Sequence, residues 1–168
     1  MTSRGRLLPR QFSTAGLEYM LFMEKKDIME NELEGLEKWG AHPSEAIARL
    51  LGDQTLYRQL VREFYENNDV DLLHFRLEQQ DYENAFQIAH SMKGAAASLS
   101  LTPLTRALGK LVEDLRPWYE GETDDGTPKP ERPPGMTDEA FRAQASDQIL
   151  YHLRQVDRMW TEYCRFVV

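Results

Sequence analysis

A-F-Q-I-A-H-S-M-K-G-A-A-A-S-L, Ala85 to Leu99, is the stretch from which the rest of the chain can be read. A helix turns about 100° per residue. Ala85, Ile88, Ala89, Met92, Ala96 and Leu99 then gather on one side, as the apolar stripe of a bundle helix. His90 falls on the opposite side. Phe86, Gln87, Lys93 and Gly94 surround it at three- and four-residue spacing, and Ala97 lies a turn further on. A solvated face normally carries long polar side chains. This one carries a histidine, a lysine and then small residues, although Gly in a helix interior costs about 1 kcal/mol relative to Ala. Ala95 and Ala96 are expected to let neighbouring helices approach, whereas Gly94 and Ala97 point away from the core.

Upstream, residues 1–13 read as a basic tail and 14–39 as a helical extension with Leu17, Met20, Leu21, Ile28, Leu33 and Leu36 at roughly helical spacing. That extension either caps the rest or mediates self-association, and its pattern does not choose. Gly40 to Pro43 breaks it, Ser44 caps a short run, and Asp53 is an N-cap for the next helix. Leu56, Tyr57, Leu60, Val61 and Phe64 form its stripe; Asn67-Asn68-Asp69 is a place to kink or end it, but Leu72, Phe75 and Leu77 prolong the pattern, giving one long or kinked helix over about 53–80. Asp81 caps the His90 helix (82–99). Thr102-Pro103 starts the next (103–119), with Leu104, Leu108, Leu111, Val112, Leu115 and Trp118 on one face. Residues 121–136, dense in Pro, Gly and acid, form a loop, and Thr137 opens a last helix to about residue 165. No segment alternates with period two. The expected fold is all-α, an antiparallel four-helix bundle over 40–168 with an additional N-terminal helix.

The chain has 168 residues and a formal charge of −8, the wrong sign for a nucleic-acid binder. A single cysteine, Cys164, rules out an internal disulfide framework and reads as a packed thiol. No apolar run approaches the ~18–20 residues of a membrane span. A cytoplasmic location, with no membrane contact, is the expectation.

The sequence A-H-S-M-K-G-A-A-A-S-L-S-L-T-P-L resembles the active-site helix of the histidine phosphotransfer (HPt) domains of bacterial phosphorelays. The shared pattern is His, Lys three residues on and Gly four on, in an Ala/Ser-rich helix. Ala46 to Phe64 also resembles the first bundle helix of that family, so the likeness covers roughly residues 40 to 118 and, less closely, the last helix. Ser100 departs from the pattern, standing where a glycine commonly ends the active helix.

A neutral imidazole suits phosphoryl carriage, since it has a free lone pair near neutral pH. The resemblance implies that His90 is the phosphorylated nucleophile, that Lys93 stabilises the phosphoryl oxygens, and that Gly94 gives steric clearance. Phe86, Gln87 and Ala97 are then candidates for a docking surface. It implies response-regulator receiver domains and a hybrid sensor histidine kinase as partners, with Mg²⁺ supplied by the receiver and no cofactor on this chain. There is no ATP-binding kinase motif, so the protein is a phosphotransfer intermediate rather than an autonomous enzyme. A different class of reading is a non-catalytic adaptor that sequesters a receiver or kinase through the His90 face. A third is the phospho-accepting module of a chemotaxis-type kinase. A di-metal bundle needs Glu-x-x-His on two helices. The residues three before the histidines are Trp39, Asp71, Gln87 and Ile149, so no metal site is expected.

Overall fold

Caps and breaks in the sequence set the helix ends, and the apolar stripes set how the helices pack. The computed structural model describes residues 32–119, 135 and 137–167. The basic tail, residues 14–31 of the extension and all of the 121–136 loop but Gly135 lie outside the described residues.

Helix α1 covers 32–39, α2 Pro43–Arg49, α3 Gln54–Glu66, α4 Val70–Glu78, α5 Tyr82–Ser98, α6 Thr102–Leu115 and α7 Asp138–Val167, with a 3₁₀ turn, Arg116–Trp118, extending α6. Among the described residues there is no strand. The architecture is the all-α antiparallel bundle expected. Its arms are α5, α6, α7 and the pair α3–α4, with α6 packed between α5 and α7.

Small residues on α5 meet large ones on α6. Ala85, Ala89 and Ala96 are fully buried, as are Leu104, Leu108, Leu111 and Leu115. Burying each such leucine contributes about 1.5–3 kcal/mol, and the alanines let the two backbones approach. Ala95, by contrast, is exposed, so the close approach is made by Ala96 and not by both.

The start signals are obeyed within a residue or so. Asp53 accepts from the Leu56 amide (2.9 Å), Asp81 from that of Asn84 (3.3 Å) and Thr137 Oγ1 from that of Ala140 (3.2 Å). Helix α2 begins at Pro43 with His42 as N-cap rather than at a Ser44 cap, and α6 takes Leu101 as its N-cap.

The single 53–80 helix is corrected to two. Asn67 and Asn68 turn their amides back onto Glu63 O and Tyr65 O, and Asn68 Oδ1 accepts the Val70 amide (3.2 Å). Side chains that offer the backbone such partners end helices. The break resets the helical phase, so Val70 and Leu73 face inward while Leu72 and Phe75 are exposed. Leu56 is exposed too.

Helix α1 packs back on the bundle. Leu36 joins the core, Trp39 Nε1 donates to Glu162 Oε2 (2.9 Å), and the Trp39 ring lies 6.2 Å from Tyr163 and 6.0 Å from Phe166. Two buried phenols tie the arms together: Tyr57 OH donates to Leu99 O (3.1 Å) and Tyr163 OH to Val61 O (2.6 Å). Burial pushes the Tyr57 phenol up to about 12 and raises that of Tyr163 further.

Candidate functional site: the outer face of α5

Helix α5 is straight enough in register to put His90 on its outer face, but the imidazole is only half-exposed. Nδ1 is buried, without a hydrogen-bond partner among the described residues. Only Nε2 is left for approach from outside. Lys93, one turn on, is half-buried, and its stem lies along α6, with Cδ 3.9 Å from where a Cβ on Gly109 would stand. Its apolar stem thus packs on the α5–α6 seam.

Gly94 is exposed, and a Cβ placed there would meet nothing within 4 Å. The fold itself has no need of a glycine at this position. Gln87 and Ala97 are exposed on the same face. Phe86 is not: at 3 % exposure it lies beneath the face, so its placement on the outer surface is corrected. The reason is the neighbouring segment. Tyr119 stacks on the Phe86 ring at 4.4 Å and 20°, and the Arg116 guanidinium carbon lies 5.9 Å from the same ring. Arg116, 2 % exposed, is gripped by both Glu113 oxygens (3.0 and 2.8 Å).

Arg116 and Tyr119 escaped the sequence reading. The available signal was an arginine in phase with the Leu108, Leu111, Val112 and Leu115 stripe, where a long apolar side chain would be usual.

The C-terminus of α5 is fully satisfied. Ser100 N donates to Ala97 O and Leu101 N to Ala96 O, the paired bonds of a Schellman end. Arg49 Nη2 donates to Ser98 O, Tyr57 OH to Leu99 O and His42 N to Ser100 O. The helix that carries His90 is therefore held at both ends, by Asp81 and by this cluster.

A family model for the Hpt domain matches residues 56–150, more than half of the chain. The chain belongs to the Hpt domain family. No curated protein and no solved structure matches it. The matched segment of this Hpt chain runs from α3 into α7 and contains the whole His90 face. Membership supports a histidine phosphotransfer role in phosphorelays, with receiver-type partners.

The remaining histidines have structural partners or none of chemical note. His74 Nε2 pairs with Asp157 Oδ1 (2.7 Å) and His152 Nδ1 with Asp114, bolting α7 to α4 and α6. His42 is exposed at the α2 N-cap. Among the described residues no group of three His, Cys, Asp or Glu side chains is arranged to hold a metal ion, and no helix is long and apolar enough to cross a membrane. Cys164 is half-buried, and burial raises its thiol, which disfavours the thiolate.

Proposed function

We propose that this Hpt protein is a phosphocarrier in a multistep phosphorelay, with His90 accepting a phosphoryl group from a receiver-domain aspartate and passing it to another receiver. The observation that carries this is the pairing of a half-exposed imidazole, open only at Nε2, with Lys93 one turn away and open space over Gly94.

The Nε2 lone pair attacks the phosphorus of the aspartyl phosphate. An N–P bond forms, the P–O bond to the aspartate breaks, and the carboxylate leaves with its electron pair while the Nδ1 proton stays on the ring. Such transfers depend on positioning and charge neutralisation. The Lys93 ammonium stabilises the phosphoryl oxygens as a point charge. The Mg²⁺ that receiver chemistry uses belongs to the partner. Gly94 leaves room for the partner's backbone, and Gln87 and Ala97 form part of the docking surface. A hybrid sensor histidine kinase upstream, response regulators as receivers and a cytoplasmic setting complete this reading.

The test is transfer from a panel of phosphorylated receiver domains of the same organism to the wild type and to His90→Gln. Acid-labile label on the wild type alone supports the carrier role and names the partner. Binding without transfer, with Mg²⁺ present, supports the adaptor reading instead.

A further inference from the structure

Phe86 has an environment suited to a different task from docking. Its buried ring has two ring neighbours: Tyr119 stacks on it at 4.4 Å and 20°, and the His90 imidazole lies against it at 5.7 Å and 29°. Both pairs fall at or near the separations that aromatic rings prefer. The Arg116 guanidinium, fixed by Glu113, borders the same ring at 5.9 Å. Phe86 thus sits in a rigid setting built from α5, α6 and the 3₁₀ turn.

The imidazole, in contrast, lacks the usual anchor. A functional histidine is commonly oriented through the hydrogen bond that its other ring nitrogen makes. Here Nδ1 is buried and has no such partner among the described residues. No hydrogen bond of Nδ1 fixes rotation about the bond to the ring, and the contact with Phe86 lies against its plane at 29°.

We infer that Phe86, clamped by Tyr119, is a positioning residue that sets the plane of the His90 imidazole and keeps Nε2 facing outward. Its consequence for rate rests on His90 being the phosphoryl acceptor, as proposed above, but the orientation itself is a property of the free protein. Phe86 touches neither partner nor phosphoryl group.

The experiment uses the full chain and the variants Phe86→Leu, Tyr119→Leu and Tyr119→Phe. Ring-proton NMR signals of His90, assigned by their absence in His90→Gln, report the stacking directly through the ring current of Phe86. They are expected to move towards free-histidine positions in Phe86→Leu, to move less in Tyr119→Leu, and to stay in place in Tyr119→Phe, which keeps the stack. The transfer rate from a phosphorylated receiver is expected to fall about tenfold or more in Phe86→Leu, since small misplacements of reacting groups cost that much. Receiver affinity should stay unchanged. Unmoved His90 signals in folded Tyr119→Leu, where the Phe86 ring and its ring current remain, overturn the inference, and so does a loss of affinity that accounts for the whole loss of rate in Phe86→Leu. Should Phe86→Leu not fold, Tyr119→Leu against Tyr119→Phe decides by the same readouts. A wild type that takes no phosphoryl group sinks the carrier reading, whereas the NMR signals still decide the orientation.

Discussion

Arg49 Nη2 stands 2.8 Å from Ser100 Oγ and 2.9 Å from Ser98 O, so a side chain of α2 holds the end of the helix that carries His90. Ser100 has φ of +54°, the left-handed conformation that usually selects glycine at this point. A non-glycine residue there costs roughly 1–2 kcal/mol, and the contact with Arg49 offsets part of that cost. Arg49→Ala should therefore lower stability by about 1 kcal/mol, a typical net hydrogen-bond contribution. Ser100→Gly, which loses the contact but relieves the backbone, should be close to neutral, and Ser100→Val should be much worse than either. Urea unfolding checks this; a Ser100→Gly variant as unstable as Ser100→Val would remove the backbone argument.

A second close approach joins α1 to the far end of α7. A Cβ on Gly35 would lie 2.8 Å from Phe166 Cδ1, and Phe166 also packs on Trp39. Gly35→Ala is expected to destabilise by about 1–3 kcal/mol, the usual cost of overpacking. In a Phe166→Ala background the same change should cost clearly less, because the ring atom it strikes is gone. Equal costs in the two backgrounds would mean that the two residues are not coupled.

Acid should loosen the start of the His90 helix. The Asn84 side chain, hydrogen-bonded to the Asp81 carboxylate, holds that carboxyl below its usual range, with Arg76 adding to the effect. A carboxyl lowered in the folded state contributes stability above its unfolded pKa and loses it as the pH falls through the folded value. The melting temperature of Asp81→Ala should accordingly lie below that of the wild type at neutral pH, with the gap narrowing as the solution is acidified below about pH 4, near the ordinary aspartate range. A gap that stays constant would show that the cap acts without its charge.

Much of this is legible in the sequence, and the places where it is not have separate physical causes. The stripes of α5 and α6 predicted the core because Ala85, Ala89, Leu104, Leu108 and Leu111 recur with the helical period, which is local information. The division between α3 and α4 is only half legible: Asn67-Asn68-Asp69 signals a kink or an end, but Leu72 and Phe75 continue the α3 phase by chance, and the side-chain bonds that make it an end carry no periodic signature. The burial of Phe86 was invisible for a different reason. It is imposed by Tyr119 and Arg116, thirty or more positions away, and helical geometry alone places Phe86 on the outer face. Ser100 reads as an anomaly until Arg49 is seen beside it.

Gly94 separates stability from function. It is an exposed mid-helix glycine with open space around it, so Gly94→Ala should stabilise the fold by about 0.4–1 kcal/mol. The bulkier Gly94→Leu should remain folded yet lower phosphoryl transfer about tenfold or more by displacing the reacting groups. Thermal unfolding and transfer assays on the same preparations decide this. Wild-type transfer by Gly94→Leu would mean that the glycine is not there for clearance.

The most direct measurement is the site of the phosphoryl group itself. The chain, labelled with ¹⁵N at histidine, is incubated with its phosphorylated receiver, and long-range ¹H–¹⁵N spectra are recorded before and after transfer. The account predicts a single phosphorylated ring, that of His90, substituted at Nε2, the nitrogen left open by the burial of Nδ1. Phosphate on Nδ1 or on another residue, or a receiver that binds and keeps its phosphoryl group, would contradict it.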